Sequence, residues 1–304
     1  MAIPSSGALS LAGIRAELAT NSYNASATTQ ASLEDCSDGT VATINTANAS
    51  SDRPDGNTPH AMSEFYAYDH DLSSFTDNIS FDFDGTNDYL TRSTIGSIHT
   101  TGSVSAWVKL DAMSANGFIF QLRAESGTND QIILLWNNAS GVIRGNVKFS
   151  GTTNVVDSGS GLENDGNWHH VVFTWVSGDK TAANNITRIY IDGSETDNDA
   201  IGNSWGDAEF PAELVIGRNS IQSNAYFNGH INDVAIFNDA LTSSEVSAIY
   251  NSGSPKDESD HSGLVAYYTM EAYSDNDTVL VDDSANNNSI TITNSTNIDS
   301  SDTP

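Results

Sequence analysis

Carboxylates offer this sequence most of its chemistry, and their spacing decides which chemistry that is. The chain has 40 acidic residues against 11 basic ones. Glycoside hydrolysis needs two carboxyl groups flanking one scissile bond, one as acid and one as nucleophile or base. Glu163, Glu195, Glu209 and Glu213 instead stand singly, in loops or at strand ends. His169 and His170 are adjacent in a strand, so they point to opposite faces and cannot ligate one metal together. No serine is expected in a Gly-x-Ser-x-Gly nucleophile elbow. Cys36 is the only cysteine, which rules out an intrachain disulfide and leaves a buried, inert thiol as the plain reading. Catalysis is not expected.

Two other constellations bind rather than react. The loop Asp84-Gly-Thr-Asn87-Asp88 packs carboxylate and amide oxygens tightly, and Asn232-Asp233 can face it from a neighbouring strand. Calcium takes about 6–8 such oxygens. Asp and Asn are also what a tight turn uses for its own backbone, so metal and turn chemistry both stand open here. Trp205, Asn224 and Tyr226 lie in Gly/Asn/Ser-rich loops and offer aromatic faces and an amide to a glycan, with core or edge packing as the other reading.

The elements that must position these groups centre on Gly166 to Gly193. The run Trp168-His-His-Val-Val-Phe-Thr-Trp-Val176 is apolar in both parities, the pattern of a strand buried on both faces. A polar loop from Gly178 to Asn185 follows, then Arg188-Ile-Tyr-Ile alternates and stops at Asp192-Gly193. Asp-Gly is a common hairpin turn, so this is a long central hairpin of an antiparallel sheet. Further strands are expected at Ile79–Phe83, Gly102–Leu110, Phe118–Leu122, Gln131–Trp136 and Val142–Phe149, with no helical period between them. That spacing argues for an all-β sandwich. Thr242-Ser-Ser-Glu245 is a capping box that opens a short helix ending at Tyr250.

The string "GNWHHVVFTWVSG…TRIYIDG" resembles the central hairpin of the concanavalin A-like (laminin-G-like) jelly-roll lectins. "FDFDGTNDYLTR" (81–92) is similar to their opening strands and "GSVSAWVKL" (102–110) to the inner strand that follows. "ELVIGRNS…YFNGHINDVAIFNDALTSSEVSAIYN" (213–251) is similar to their closing strands and terminal helical turn. The resemblance implies an antiparallel jelly-roll sandwich over 76–251. It also implies a structural calcium at Asp84, Asn87, Asp88 and Asp233. The glucanases of this group carry a Glu-x-Asp-x-(x)-Glu run on one strand, and no such run is present. Residues 252–304 are worded like the opening of such lectins, "LVAYY…E…DSSGNNN", but come after the body. They are too short for a second sandwich, so they are expected to pair back onto the first.

Residues 1–75 are a different kind of sequence. Ser10 caps a short amphipathic helix with Leu11, Ile14 and Leu18 at helical spacing, and "SLED" and "PHAMSEFYAYDH" come later. The segment has few apolar residues for a core of its own, so it is expected to dock through Leu11, Ile14, Leu18, Met62, Phe65 and Tyr66. "MAIPSSGALSLAGIRAEL", "SLED" and "PHAMSEFYAYDH" resemble the N-terminal segment of tail and other virion structural proteins of tailed bacteriophages. That resemblance implies an anchoring and assembly module before a variable distal domain.

The formal charge of −29 disfavours nucleic acid and anionic membrane as partners, because affinity for either rests on Lys and Arg. No apolar run approaches the roughly 20 residues that span a bilayer, and the start lacks the basic region and apolar core of a signal peptide. The expectation is a non-enzymatic virion protein, either a tail fibre or adhesin or a head decoration or fibre. Its partners would be other virion proteins, copies of itself and host-surface glycan. A secreted bacterial carbohydrate-binding module is the alternative.

Overall fold

In this computed structural model the residues described are 3, 9–20, 23, 31–45, 53–66, 68, 70, 75, 77–95, 97–98, 101–124, 130–149, 152–176, 186–200, 210–221, 225–259, 261–271, 273, 277–294, 298–299 and 302–304. The chain divides into two compact units, Met1–Thr76 and Asp77–Pro304.

In the first unit, helix α1 (Leu11–Thr20) opens on Ser10, whose Oγ accepts the Gly13 N–H at 3.0 Å. Helix α2 (Leu33–Ser37) is fixed by a reciprocal cap between Ser32 and Asp35. A 3₁₀ turn, Met62–Phe65, completes the unit's helical turns among the described residues. Ile3, Ile14, Leu18, Cys36, Phe65 and Tyr68 pack into one small core, with Leu11 half-buried against it. Ile14, Leu18 and Phe65 are turned into this core, and every residue of α1 from Gly13 to Leu18 is buried, Arg15 and Glu17 included, so the helix does not present the single apolar stripe expected of it. Of the six residues expected to dock, Met62 is exposed and Leu11 and Tyr66 are half-buried. Burial pushes the Cys36 thiol up to about 11, which leaves it protonated and unreactive.

The second unit is a two-sheet antiparallel sandwich. Its strands are β1 (Ser80–Asp84), β2 (Tyr89–Arg92), β3 (Ser97–Ile98), β4 (Thr101–Leu110), β5 (Gly117–Ala124), β6 (Gln131–Asn137), β7 (Val142–Phe149), β8 (Thr152–Asp157) and β9 (His169–Val176). Then come β10 (Ile186–Ile191), β11 (Ser194–Ala200), β12 (Phe210–Ile216), β13 (Asn228–Phe237), helix α3 (Ser243–Tyr250), β14 (Leu264–Tyr268), β15 (Val279–Leu280), β16 (Ile290–Thr293) and β17 (Ile298–Asp299). The first sheet runs β11-β10-β9-β4-β13-β1-β17, and β14 also pairs with β13. The second runs β15-β16-β2-β12-β5-β6-β7-β8, with β3 on β12.

Alternation sorts the side chains. Val104, Ala106 and Val108 of β4 and Val171, Phe173 and Trp175 of β9 face the core between the sheets. His170 and Thr174, of the other parity, are buried as well. His170 lies against Trp107 and Tyr250, so α3 covers the outer face of this sheet there. Residues beyond 251 supply strands to both sheets: β14 and β17 join the first, β15 and β16 the second. The loop 178–185 lies outside the described residues. Asp192 and Gly193 both have positive φ, the two-residue turn that joins β10 to β11. No helix among the described residues is long and apolar enough to cross a membrane.

Candidate functional site

One rim of the sandwich forms an open cleft of about 270 Å³, lined by Asp84, Gly85, Met113, Ser114, Tyr226 and Asn228 among others. Three elements build it. The first is the β1–β2 turn, where Asp84 Oδ1 accepts the Thr86 N–H at 2.7 Å and Asp88 Oδ2 accepts the Asp84 N–H at 3.1 Å. The second is the β4–β5 loop, tied down by the Met113 N–H donating to Glu163 Oε1 at 2.8 Å. The third is the approach to β13, where Asn228 Nδ2 donates to the Ala112 carbonyl at 3.1 Å.

Gly229 lets that last element come close. Its φ is +131°, and a Cβ there would run into the Lys109 carbonyl. Next to the cleft, Tyr226 bridges to Arg218, whose guanidinium lies 3.5 Å over the centre of the Tyr89 ring. Burial, only partly offset by the Asp84 N–H, pushes the Asp88 carboxyl up to about 6. A carboxylate, amides, a phenol and an aromatic–cation pair on one open rim can hydrogen-bond and stack on a polar, ring-shaped ligand.

The sequence-predicted residues divide. Asp84 and Tyr226 meet in this cleft, with Asn87 and Asp88 in the same turn. Asp233 is not brought to them. Strand β13 does neighbour β1, as expected, but Asp84 is paired with Asn228. Asp233 sits five positions further on, about 17 Å along a strand. There it lies beside a register shift, buried close to Tyr267, Asp77 and Glu258. Asp84, Asn87, Asp88 and Asp233 therefore do not fit one calcium ion. Among the described residues no group of three or more His, Cys, Asp or Glu is placed to hold a metal. Trp205 and Asn224 lie outside the described residues.

A family profile, the concanavalin A-like lectin/glucanases superfamily, matches residues 84–247, more than half of the 304-residue chain. The chain belongs to that superfamily.

Solved structures of similar fold include a candidate carbohydrate-binding protein from Bacteroides ovatus, at 18% identity and TM-score 0.53, covering 74% of this chain and 60% of that one. This chain thus spans under two thirds of that protein's resolved length. A heptameric SAP-like pentraxin from Limulus polyphemus matches at 18% identity and TM-score 0.47, over 57% of this chain and 82% of that one. Domain 4 of an extracellular arabinanase from Geobacillus stearothermophilus, solved with arabinotriose, matches at 20% identity and TM-score 0.43, over 56% and 76%. A comparison with curated proteins found no match.

In a superfamily that includes glucanases, two further features of the chain bear on catalysis. Glu195 has two acidic neighbours on β11, Asp197 and Asp199, but a bulge turns it to the opposite face: Asp197 is paired with Ile189 and Asp199 with Thr187, whereas Glu195 is paired with Tyr190. Each of the three is engaged. Glu195 pairs with Arg188 at 3.1 Å, Asp197 accepts the Asp157 N–H at 3.0 Å, and Asp199 accepts from Asn154 Nδ2 at 2.8 Å. All three lie on an edge strand outside the rim cleft. Gly202-Asn203-Ser204-Trp205-Gly206 has Gly-x-Ser-x-Gly spacing but lies outside the described residues. It falls between strands β11 and β12, where a nucleophile elbow requires a strand and then a helix.

The histidine pair is also accounted for. His169 is held between Asp192 at 2.9 Å and Asp165 at 3.0 Å, which raises its pKa. Burial pushes His170 down to about 4, and its Nε2 meets Ser105 Oγ at 2.7 Å.

Proposed function

We propose that this chain is a non-enzymatic glycan-binding protein of a bacteriophage particle, a tail-fibre or adhesin type or a head decoration. The first unit is its assembly module, and the sandwich takes host-surface glycan in the rim cleft. The observation that carries the glycan half is the meeting of Asp84, Asn228 and Tyr226 in one open cleft on a sandwich of the lectin/glucanase superfamily. The particle half is supported by the resemblance of "MAIPSSGALSLAGIRAEL" and "PHAMSEFYAYDH" to phage virion segments. The absence of turnover is supported by the engaged carboxylates of β11 and by the lone, buried Cys36. No step of this reading runs through a metal ion.

The test has two arms. On a panel of immobilised bacterial surface polysaccharides, the full chain is expected to bind at least one. Tyr226→Ala should weaken that binding roughly ten-fold, the loss of an aromatic contact. Binding that Tyr226→Ala leaves intact would move the site elsewhere. In the other arm, the full chain should co-sediment with phage particles as an oligomer. A monomer that binds glycan but no particle would favour the second reading, a secreted carbohydrate-binding module, to which the fold likeness with the Bacteroides ovatus protein lends support.

A further inference from the structure

Two register positions from the rim cleft, and outside its lining, the outer face of the first sheet carries a row of side chains at one register level. Asp82 on β1 pairs with His230 on β13, and His230 with Lys109 on β4. Val108 pairs with His169, so Trp168 follows beside Lys109. Trp168 and His230 approach with ring centres 6.0 Å apart. Over Lys109, Trp168 and His230 lies the carboxylate of Asp302. Lys109 Nζ donates to Asp302 Oδ2 at 2.6 Å, Trp168 Nε1 donates to Oδ1 at 2.9 Å, and His230 Nε2 stands 3.6 Å from Oδ2. Ser80 Oγ also donates to the Asp302 backbone carbonyl, at 2.7 Å. Burial opposes ionisation of Asp302, but the bonds from Lys109 and Trp168 outweigh it and hold its pKa below the usual carboxylate range.

We infer that Lys109, Trp168 and His230 form a carboxylate-binding site for an acidic saccharide, with Asp302 as its resident competitor. The donor set is that of a recognition site: a cation and an indole N–H divide the two oxygens of one carboxylate, and an aromatic ring stands beside them for a sugar face. The occupant is held by its own contacts and by little strand pairing. Strand β17, which brings this segment to β1, pairs through only Ile298 and Asp299. The Lys109 and Asp302 side chains keep 22% and 24% of their surface in water, so an incoming group can reach them. Asp82 and the net charge of −29 repel an anion at long range. At physiological salt that repulsion is screened beyond about 8 Å, and the contacts at Lys109 and Trp168 decide.

This site is separate from the rim cleft, and the inference does not rest on the rim reading. The test uses the full chain. The indole N–H NMR signal of Trp168, assigned by its loss in Trp168→Phe, reports the site alone. D-glucuronate is titrated, with D-glucose as the neutral twin and acetate as the carboxylate without a ring. In the wild type, glucuronate should shift the Trp168 signal only at high concentration. In Asp302→Asn, which removes the competitor's charge, it should bind at least about ten-fold more tightly, because competent molecules are no longer a minority. Adding Lys109→Gln to that variant should weaken binding about ten-fold, the loss of one charge-assisted hydrogen bond. A glucuronate affinity unchanged by Asp302→Asn, or equal responses to glucuronate and glucose, would overturn the carboxylate site. Equal responses to acetate and glucuronate would overturn its saccharide specificity. The wild-type titration needs no variant to fold, and absence of any Trp168 shift at saturating glucuronate there would also count against the proposal.

Discussion

Three buried carboxyl oxygens near β13 and β14 have no hydrogen-bond partner among the described residues: Asp77 Oδ2, Asp233 Oδ1 and Glu258 Oε1. Burial raises all three groups, Asp77 to about 6, Glu258 to about 7 and Asp233 well above its ordinary value. Lys256 stands 3.7 Å from Glu258, but its side chain is 41% exposed and offsets little of this. A pKa raised on folding means that folding favours the protonated form. The stabilisation is full below the unfolded value near 4.5 and is lost as pH rises through about 7. Glu258→Gln should therefore match the wild type near pH 4.5 and exceed it at pH 8 by up to roughly 3 kcal/mol, measured by urea unfolding at both pH values. Equal or lower stability of the variant at pH 8 would contradict this. The comparison must be between variants, because His170 runs the other way: its contribution is present above 6.5 and is lost as pH falls through about 4. At this scale the sequence was partly legible. The Asp84 turn can be read locally, since Asx-type turns are built from neighbours. The position of Asp233 cannot, because strand adjacency does not reveal register. The cradle of Asp302 joins residues far apart in the chain, which no local pattern marks.

Strands that present an apolar face were legible, and strands that do not were missed. The strands β1, β4 to β7, β9 and β10 carry alternating or doubly apolar runs, and each lies where the sequence pattern predicts a strand; β12 and β13 lie where the family resemblance implies closing strands. Strand β11, Ser-Glu-Thr-Asp-Asn-Asp-Ala, has no large apolar side chain; it exists because the Asp192-Gly193 turn sets it against β10. The two-residue strands β3, β15 and β17 are too short for any period. The loop after β15 shows what fixes the later strands. Asp282 is buried and accepts from the Tyr267 and Ser284 N–H groups at 2.9 Å each, from Ser284 Oγ at 2.8 Å and from the Asn288 N–H at 2.6 Å. Asn286 and Asn288 then donate to the Leu264 and Val265 carbonyls, closing the loop on β14. Asp282→Ala strands several buried donors and should cost roughly 2–4 kcal/mol. For a unit of this size that lowers the thermal midpoint by roughly 4–16 °C. A change within a degree in differential scanning calorimetry would show that water replaces the carboxylate.

The whole molecule sets a long-range problem against these local bonds. With 40 acidic residues and 11 basic ones, most carboxylates have no cation to pair with, and the remainder repel one another across the surface. Such self-repulsion loosens a compact state and opposes packing copies side by side. Pairs such as Arg144–Asp157, at 2.6 Å, relieve it only locally. Raising ionic strength from 0.1 to 1 M shortens the screening length from about 10 to about 3 Å, which removes most of the repulsion while contact pairs persist. Moderate salt should therefore raise the thermal midpoint of the full chain by several degrees, on the scale of roughly 1–2 kcal/mol. Any self-association, followed by sedimentation, should strengthen over the same range. Potassium chloride is the salt to use, since sulfate strengthens apolar burial on its own account. A midpoint that stays flat or falls would mean that contact ion pairs, and not the net charge, dominate the electrostatics of this surface. A particle-bound role would then have to be argued without the salt-dependent assembly that the net charge demands.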